Sequence, residues 1–431
     1  HGEFENDQSQ KIIVDHNLMN DQNVSVQEEN GRSDEIRVSS RRNKGQKPER
    51  LGDFVTYSSR VDFEPKTLKQ AMSCVDADKW KKAMEDEIKS INQNKTWDLV
   101  KLPKNKRAIG CKWVYKLKRD DNGQVCSYKA RLVAQGFSQK YGEDYDEVFA
   151  PVARSATFRI LMSIAGINNH HVKQFDIKTA FLNGDIEEEI YMKQPPGFEK
   201  GNDACKLRKS LYGLKQAARA WNKIYHEAVI GFGFKQSEVD KCLYSMKKGN
   251  DTCYMIVHVD DILVASNNEK LIEKFKNHIG SLFEVKDMGS IKHFLGIDVK
   301  RDKDGNFNIS QKQYIEKIVE EAGLNDGKFS KYPLMTGYFR HHDENYLESN
   351  NEYRKLIGKL LYISTNTIPD IAASVGILSQ KISKPTKTDL IEAKKIIRYL
   401  NGTKNLCLKL SDKKKVGKLE VYSDASWAED S

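Results

Sequence analysis

Three aspartates interrupt otherwise apolar, strand-like runs of this chain. In "CYMIVHVDDILVAS", Cys253 to Ser266, Asp260 and Asp261 sit side by side, and in "VKQFDIKTAFLNG" Asp176 stands alone among apolar neighbours. An Asp-Asp pair between two strands is by itself an ordinary polar turn, because Asp tolerates left-handed backbone and solvates well. A carboxylate inside a second apolar strand changes that reading, since burying it demands a partner charge or a metal. Two such strands in one sheet would gather three carboxylates, and like charges that close call for a cation. Hard oxygen ligands select Mg²⁺ or Mn²⁺, and two such ions can hold the attacking and leaving oxygens of a phosphoryl transfer. Polymerases and some nucleases share that chemistry.

Elements able to position these residues are legible around them. "KWVYKLKRDDNGQVCSYKARLVAQGF" reads as a hairpin, because the Asn-Gly of "DDNG" supplies the positive φ angles of a tight turn. Its arms carry Lys116, Lys118, Arg119, Lys129 and Arg131, cations suited to a triphosphate. Trp80, Met84, Ile88 and Ile91, behind a capping Asp76 or Asp78, predict an amphipathic helix, with order beginning near Val75. Further helices are expected over Ser155 to Ile167, over "LKQAARAWNKIYHEAVIGFG" up to its terminal glycines, and over "EKLIEKFKNHIGSLF". Three more helical runs between Glu352 and Asn401, with Gly402 as a C-cap, suggest a small helical subdomain. The predicted class is mixed α+β.

At 431 residues the chain has room for two or three domains. Its 71 Lys+Arg against 61 Asp+Glu, net +10, permit a polyanionic partner. The seven cysteines are scattered and never form a C-x-x-C pair, so neither a disulfide framework nor a zinc ribbon is expected, which fits a reducing compartment. No run of 18 apolar residues and no signal-peptide pattern is present, so no membrane span is expected. The first residue, His1, suggests a fragment or processing product. Residues 1–60 read as a disordered tail, acidic up to Glu35 and basic beyond it, whose basic half could touch nucleic acid.

Four segments in order, "YKARLVAQGFSQKYGEDYDEVFAPVAR", "DIKTAFLNGDIEEEIYMKQPPGF", "SLYGLKQAARAWN" and "HVDDILVAS", resemble the reverse transcriptase region of copia-type LTR retrotransposon Pol polyproteins. The resemblance covers roughly Leu68 to Ser431, and "RVSSRRNKGQKPERLGDFV" is similar to the basic integrase tail that precedes the polymerase in such polyproteins. It implies a right-hand polymerase with fingers, palm and thumb, a helical connection and the truncated start of an RNase H-like domain. The expected divisions are a tail at 1–60, fingers and palm at 61–310, thumb and connection helices at 311–402, and the RNase H-like start at 403–431.

By the same resemblance, Asp176, Asp260 and Asp261, with the backbone carbonyl of Ile177, would hold two Mg²⁺ ions, or Mn²⁺ in their place. The primer 3′-oxygen would then attack the α-phosphate of a dNTP on an RNA template with a DNA or RNA primer. Phe181 matches the aromatic that rejects a 2′-hydroxyl, and Gln216 the polar residue near the incoming nucleotide, with Lys215 and Arg219 close by. Lys118, Lys129 and Arg131 are the fingers residues assigned to the triphosphate. Asp424 in "LEVYSDASWAED" would be the first RNase H carboxylate, and the later ones would lie beyond Ser431, so no RNase H activity is expected. The expected setting is intracellular, in a cytoplasmic virus-like particle or the nucleus.

Three departures stand out: His258 where the family motif has Tyr, a residue that packs near the primer end; Ile368 in place of an Arg; and Ala218 in place of a frequent Pro. None removes a metal ligand. A catalytically inactive or domesticated nucleic-acid-binding relic would keep the basic surface and need no metal, and the intact set of aspartates speaks against it. A two-metal nuclease would need an activated water where a nucleotide sits, and the basic hairpin and Phe181 speak against that.

Overall fold

The computed structural model describes residues 63–119, 124–338 and 343–411. The tail 1–60, the "DDNG" turn and Asp424 lie outside the described residues. The architecture belongs to the compact unit that begins at Glu64.

Regular structure starts earlier than Val75, with a short helix Leu68–Ser73 capped by the Thr67 hydroxyl, which accepts the N–H of Gln70 at 3.2 Å. The helix Ala77–Gln93 follows, burying Trp80, Ala83, Met84 and Ile91; Asp76 precedes it without a side-chain capping bond, and Asp78 lies in the first turn. Against this helix packs the predicted hairpin, Cys111–Arg119 with Val125–Ala134. Alternation decides its two faces. Trp113, Tyr115 and Leu117 point into the core, where Tyr115 meets Trp80 edge-on with ring centroids 5.3 Å apart. Burying each of these side chains is worth roughly 2 kcal/mol. The register Val114↔Arg131, Lys116↔Lys129, Lys118↔Ser127 therefore puts the cations together on the other face.

The three aspartates belong to a six-stranded antiparallel sheet, ordered Val285–Ser290, His171–Ile177, Asp261–Ser266, Asp251–His258, Leu243–Lys248, Lys235–Gln236. Helix Ala217–Phe232 connects the second of these, in spatial order, to the hairpin side of the sheet, and helix Glu269–Leu282 connects the hairpin to the edge strand. Strand, helix, two strands, helix, strand is the split βαβ arrangement. Both helices cover one face, where Trp221, Tyr225, Ile272 and Phe275 pack on Phe175, Met255 and Ile262. Gly233, at φ 115°, ends the first helix as its sequence predicts. The other face is covered by helix Ser155–Ile167 and a four-stranded sheet of His293–Phe294, Ile297–Arg301, Phe307–Ser310 and Leu408–Leu410.

Helices Lys312–Glu321, Asn351–Asn366, Ala372–Ser379 and Lys387–Thr403 form a core of their own, with Ile315, Leu360, Ile396 and Leu400 at its centre. The last of them starts with a capping box between Thr386 and Asp389. Gly402 is not its cap: the helix runs to Thr403, and Gly402 leaves room for Phe329, whose Cβ is 3.4 Å from where a glycine substituent would sit. Beyond that helix, Leu408–Leu410 pairs with Phe307–Ser310. No helix among the described residues is long and apolar enough to cross a membrane.

Candidate active site

Strands His171–Ile177 and Asp261–Ser266 pair so that Asp176 stands directly opposite Asp261. Facing residues project from the same side of a sheet with Cβ atoms about 5 Å apart. The rung continues outward to His258, opposite Asp261, and to Lys286, opposite Asp176. The His258–Asp261 pair leaves Val259 and Asp260 as a two-residue turn. Val259 has a φ of 58°, a strained conformation for a β-branched residue in a place that usually takes glycine. Two hydrogen bonds hold the turn: the Trp221 indole N–H donates to the Val259 carbonyl at 2.7 Å, and the Ile177 N–H donates to the Asp260 carbonyl at 2.8 Å.

Burial pushes the Asp176 carboxyl above its usual range, and the charge of Asp260 adds to this, while Lys118, Lys129 and Lys286 oppose it. Burial likewise raises the Asp261 carboxyl, opposed by the Gln174 amide, which donates to Oδ1 at 2.8 Å, and reinforced by the charges of Asp176 and Asp260. Among the described residues no three His, Cys, Asp or Glu side chains are gathered closely enough to enclose an ion. The backbone register sets Asp176 opposite Asp261, and Asp261 is engaged through Oδ1 by the Gln174 amide. The donor set, all hard oxygen with mutual repulsion, fits a divalent cation.

The cationic face of the hairpin bears on these carboxylates, since Lys118 and Lys129 act on Asp176. Lys116 is engaged by Glu64 at 2.9 Å. Lys129 is solvent-accessible at its surface, yet crowding by protein and the charges of Lys118 and Arg131 lower its ammonium pKa. Arg131 lies over the Tyr212 ring, 4.9 Å from its centroid. Phe181 follows the left-handed Thr179 on the short helix Ala180–Asn183 and is half-buried. The Ser210 hydroxyl donates to its carbonyl, and its ring meets Tyr212 edge-on at 4.7 Å and 72°.

Gln216 sits at the start of helix Ala217–Phe232. Its side chain is buried, accepting from Gln139 Nε2 at 3.0 Å and donating to the Asp144 carbonyl at 2.9 Å, so it braces the 139–144 loop against the helix start. Lys215 lies over Tyr145, 5.1 Å from the ring centroid, and Arg219 is paired with Glu147. Two residues that sequence reasoning passed over belong to the site. Tyr212 touches both Arg131 and Phe181; burial raises its phenol, opposed by Arg131 and reinforced by Asp260, Glu87 and Asp176. Its loop setting, between Leu211 and Gly213, carries no periodic signal. Glu87 accepts the Leu132 N–H at 3.2 Å; burial raises its carboxyl, against the pull of that bond and of Arg131 and Lys129. A signal existed for Glu87, because it is an acid on the Trp80–Met84–Ile91 stripe of its helix.

The reverse transcriptase (RNA-dependent DNA polymerase) family model matches residues 94–336. The chain is 37% identical over 412 residues to the Retrovirus-related Pol polyprotein from transposon TNT 1-94 of Nicotiana tabacum, covering 93% of this chain and 30% of that protein. It is 38% identical over 381 residues to the corresponding polyprotein from transposon RE1 of Arabidopsis thaliana, covering 87% of this chain and 26% of that protein. A putative transposon Ty5-1 protein of Saccharomyces cerevisiae is 33% identical over 255 residues, which are 58% of this chain and 82% of that protein. The chain thus spans less than a third of the two plant polyproteins. With the family model covering more than half of its length, the chain belongs to the reverse transcriptase family, in the form carried by retrotransposon Pol polyproteins.

Proposed function

We propose that this chain is the polymerase portion of a retrotransposon Pol and extends a DNA or RNA primer with dNTPs on an RNA template. The observation that carries the reading is Asp176 opposite Asp261, with Asp260 in the adjoining turn, beneath a hairpin face bearing Lys118, Lys129 and Arg131. In this reading the hairpin and the helix Ala77–Gln93 belong to the fingers, the six-stranded sheet is the palm, and the helices beyond residue 311 are thumb and connection. A polyanionic template–primer suits the net charge of +10, and binding should weaken with salt. The setting proposed is an intracellular particle.

Asp176, Asp260, Asp261 and the Ile177 carbonyl would hold two Mg²⁺ ions, which when bound lower the pKa of an attacking hydroxyl and offset phosphate charge. The side chains of the chain do the rest. Arg131, planar and multidentate, and Lys118 and Lys129 bind and orient the triphosphate. Desolvation and the charges of Lys118 and Arg131 lower the Lys129 ammonium pKa, and an arriving phosphate supplies the counter-charge that this crowded cationic face otherwise lacks. Phe181 occupies the place where a 2′-hydroxyl would collide, which selects deoxynucleotides. Together these groups convert random encounter into an aligned one.

The test is dNTP incorporation in Mg²⁺ on an RNA template with a DNA primer, comparing the chain with Asp260→Asn at low salt. Incorporation by the former alone is expected. Template–primer binding by both proteins with incorporation by neither, in Mg²⁺ or Mn²⁺, would favour the inactive relic.

Glu87 yields a further expectation. Its carboxylate fixes the backbone of the strand that carries Lys129 and Arg131. Glu87→Ala should raise the KM for dNTP about 10-fold with a smaller change in kcat, since it removes positioning of groups that bind substrate. Steady-state kinetics check this, and an unchanged KM would remove Glu87 from the site.

A further inference from the structure

We infer that Tyr212 is a positioning residue for nucleotide selection, its ring holding Phe181 and Arg131 in one stack beside the carboxylates. The inference rests on the polymerase reading above. Tyr212 lies in the loop before helix Ala217–Phe232, and its carbonyl accepts the Ala134 N–H at 2.7 Å, which ties it to the end of the strand bearing Lys129 and Arg131. One side of the ring carries the Arg131 guanidinium, 4.9 Å from the centroid, and its edge meets Phe181 at 4.7 Å and 72°. The Tyr212 hydroxyl makes no hydrogen bond among the described residues, so the ring makes these contacts.

Phe181 can reject a 2′-hydroxyl only if its ring does not yield. The Ser210 hydroxyl fixes its backbone carbonyl and the ring packs along two apolar cores, but it is only half-buried, and its remaining freedom must be limited by a neighbour. Tyr212 meets the ring edge-on and supplies that limit from the side of the hairpin strand. The same ring restrains a guanidinium that would otherwise sample many rotamers, favouring one plane through the cation–π contact. Tyr212 thereby couples the group that tests the sugar to a group that binds the triphosphate. A displacement well under the size of a hydroxyl would be enough to degrade selection.

The experiment measures kcat/KM for dNTP and for the matching rNTP in the unmodified chain and in Tyr212→Phe, Tyr212→Ala and Tyr212→Leu. Tyr212→Phe keeps the ring and should stay within about twofold of the parent in both quantities. Tyr212→Ala should lower the dNTP preference about 10-fold and raise the KM for dNTP by a similar factor, with kcat less affected. Tyr212→Leu fills much of the volume without a ring and should behave like Tyr212→Ala, which keeps the test usable if the alanine variant folds poorly. Because the sugar effect runs through Phe181, adding Tyr212→Ala to Phe181→Ala should lower the preference no further. Parental selectivity in Tyr212→Ala or Tyr212→Leu, or a Tyr212→Phe as damaged as Tyr212→Ala, would overturn the inference while leaving the polymerase reading intact. An unmodified chain that incorporates neither nucleotide would bring down the polymerase reading and this inference with it.

Discussion

Replacing Asp176 by asparagine is expected to reduce dNTP incorporation by about 10³-fold, equivalent to about 4 kcal/mol of barrier, and at the same time to raise the melting temperature of the metal-free protein at neutral pH by about 2 °C. The two effects have one cause. Asp176 stands opposite Asp261 with Asp260 in the next turn, and burial together with Asp260 pushes its carboxyl up. At neutral pH the folded state must hold charges that the unfolded chain would solvate freely. An amide of nearly the same shape removes that repulsion, and it removes a metal ligand with it.

The sign of the pH dependence follows. A carboxyl whose pKa is raised by folding destabilises the native state fully above its folded pKa. As pH falls through that value toward the unfolded one, the native state takes up the proton first and the penalty fades. The advantage of Asp176→Asn in a metal-free buffer should therefore be largest near neutrality and shrink as pH drops into the usual carboxylate range. Adding Mg²⁺ should stabilise the parent through binding linkage and the variant much less. Calorimetry with and without chelator across this range checks all three parts. A variant that melts below the parent at neutral pH without metal would show that Asp176 is a structural group and not a strained functional one.

Much of this arrangement was legible because it follows from short-range patterning. The alternation of the Cys111–Arg119 strand separates Trp113, Tyr115 and Leu117 from the cations, and that can be read residue by residue. The helices Ser155–Ile167 and Glu269–Leu282 announce themselves through apolar spacing and termini. The aspartates were conspicuous because a carboxylate in an apolar strand contradicts its surroundings. Which strand pairs with which was not legible, since the Asp176–Asp261 register arises from packing between distant segments. The short strands Ile297–Arg301, Phe307–Ser310 and Leu408–Leu410 offer too few residues for a period to show. The partners of Gln216 were hidden for a related reason: a polar side chain announces hydrogen bonding, but only the folded loop reveals that Gln139 and Asp144 supply them. Gly402 failed as a cap because a glycine can also make room for an aromatic ring.

Gly213→Ala should be among the most damaging single changes in the described fold, lowering stability by about 3 kcal/mol and the melting temperature by about 6 °C or more. Two independent penalties meet there. Gly213 has a φ of +91°, which disfavours a Cβ. The added atom would lie 2.2 Å from the Ala134 carbonyl oxygen and 2.6 Å from Val133 Cγ1, and a carbonyl cannot turn aside as a side chain can. The close approach serves the site, because the Ala134 N–H reaches the Tyr212 carbonyl across this contact, and a Cβ on Gly136 would itself lie 2.0 Å from the Gly213 carbonyl oxygen. Pushing the two segments apart should break the tie between the Tyr212 loop and the strand bearing Arg131, so the surviving folded fraction should also bind dNTP more weakly. Gly201 supplies the control: it has a φ of +65° with nothing within 4 Å of its would-be Cβ, so Gly201→Ala isolates the backbone penalty at about 1 kcal/mol. Equal losses in the two variants, measured by denaturant titration, would show that conformation alone matters and that the Gly213 contact is slack. A larger loss at Gly213, accompanied by a raised KM for dNTP, would identify the closeness of these two backbones as the feature that joins the hairpin to the site.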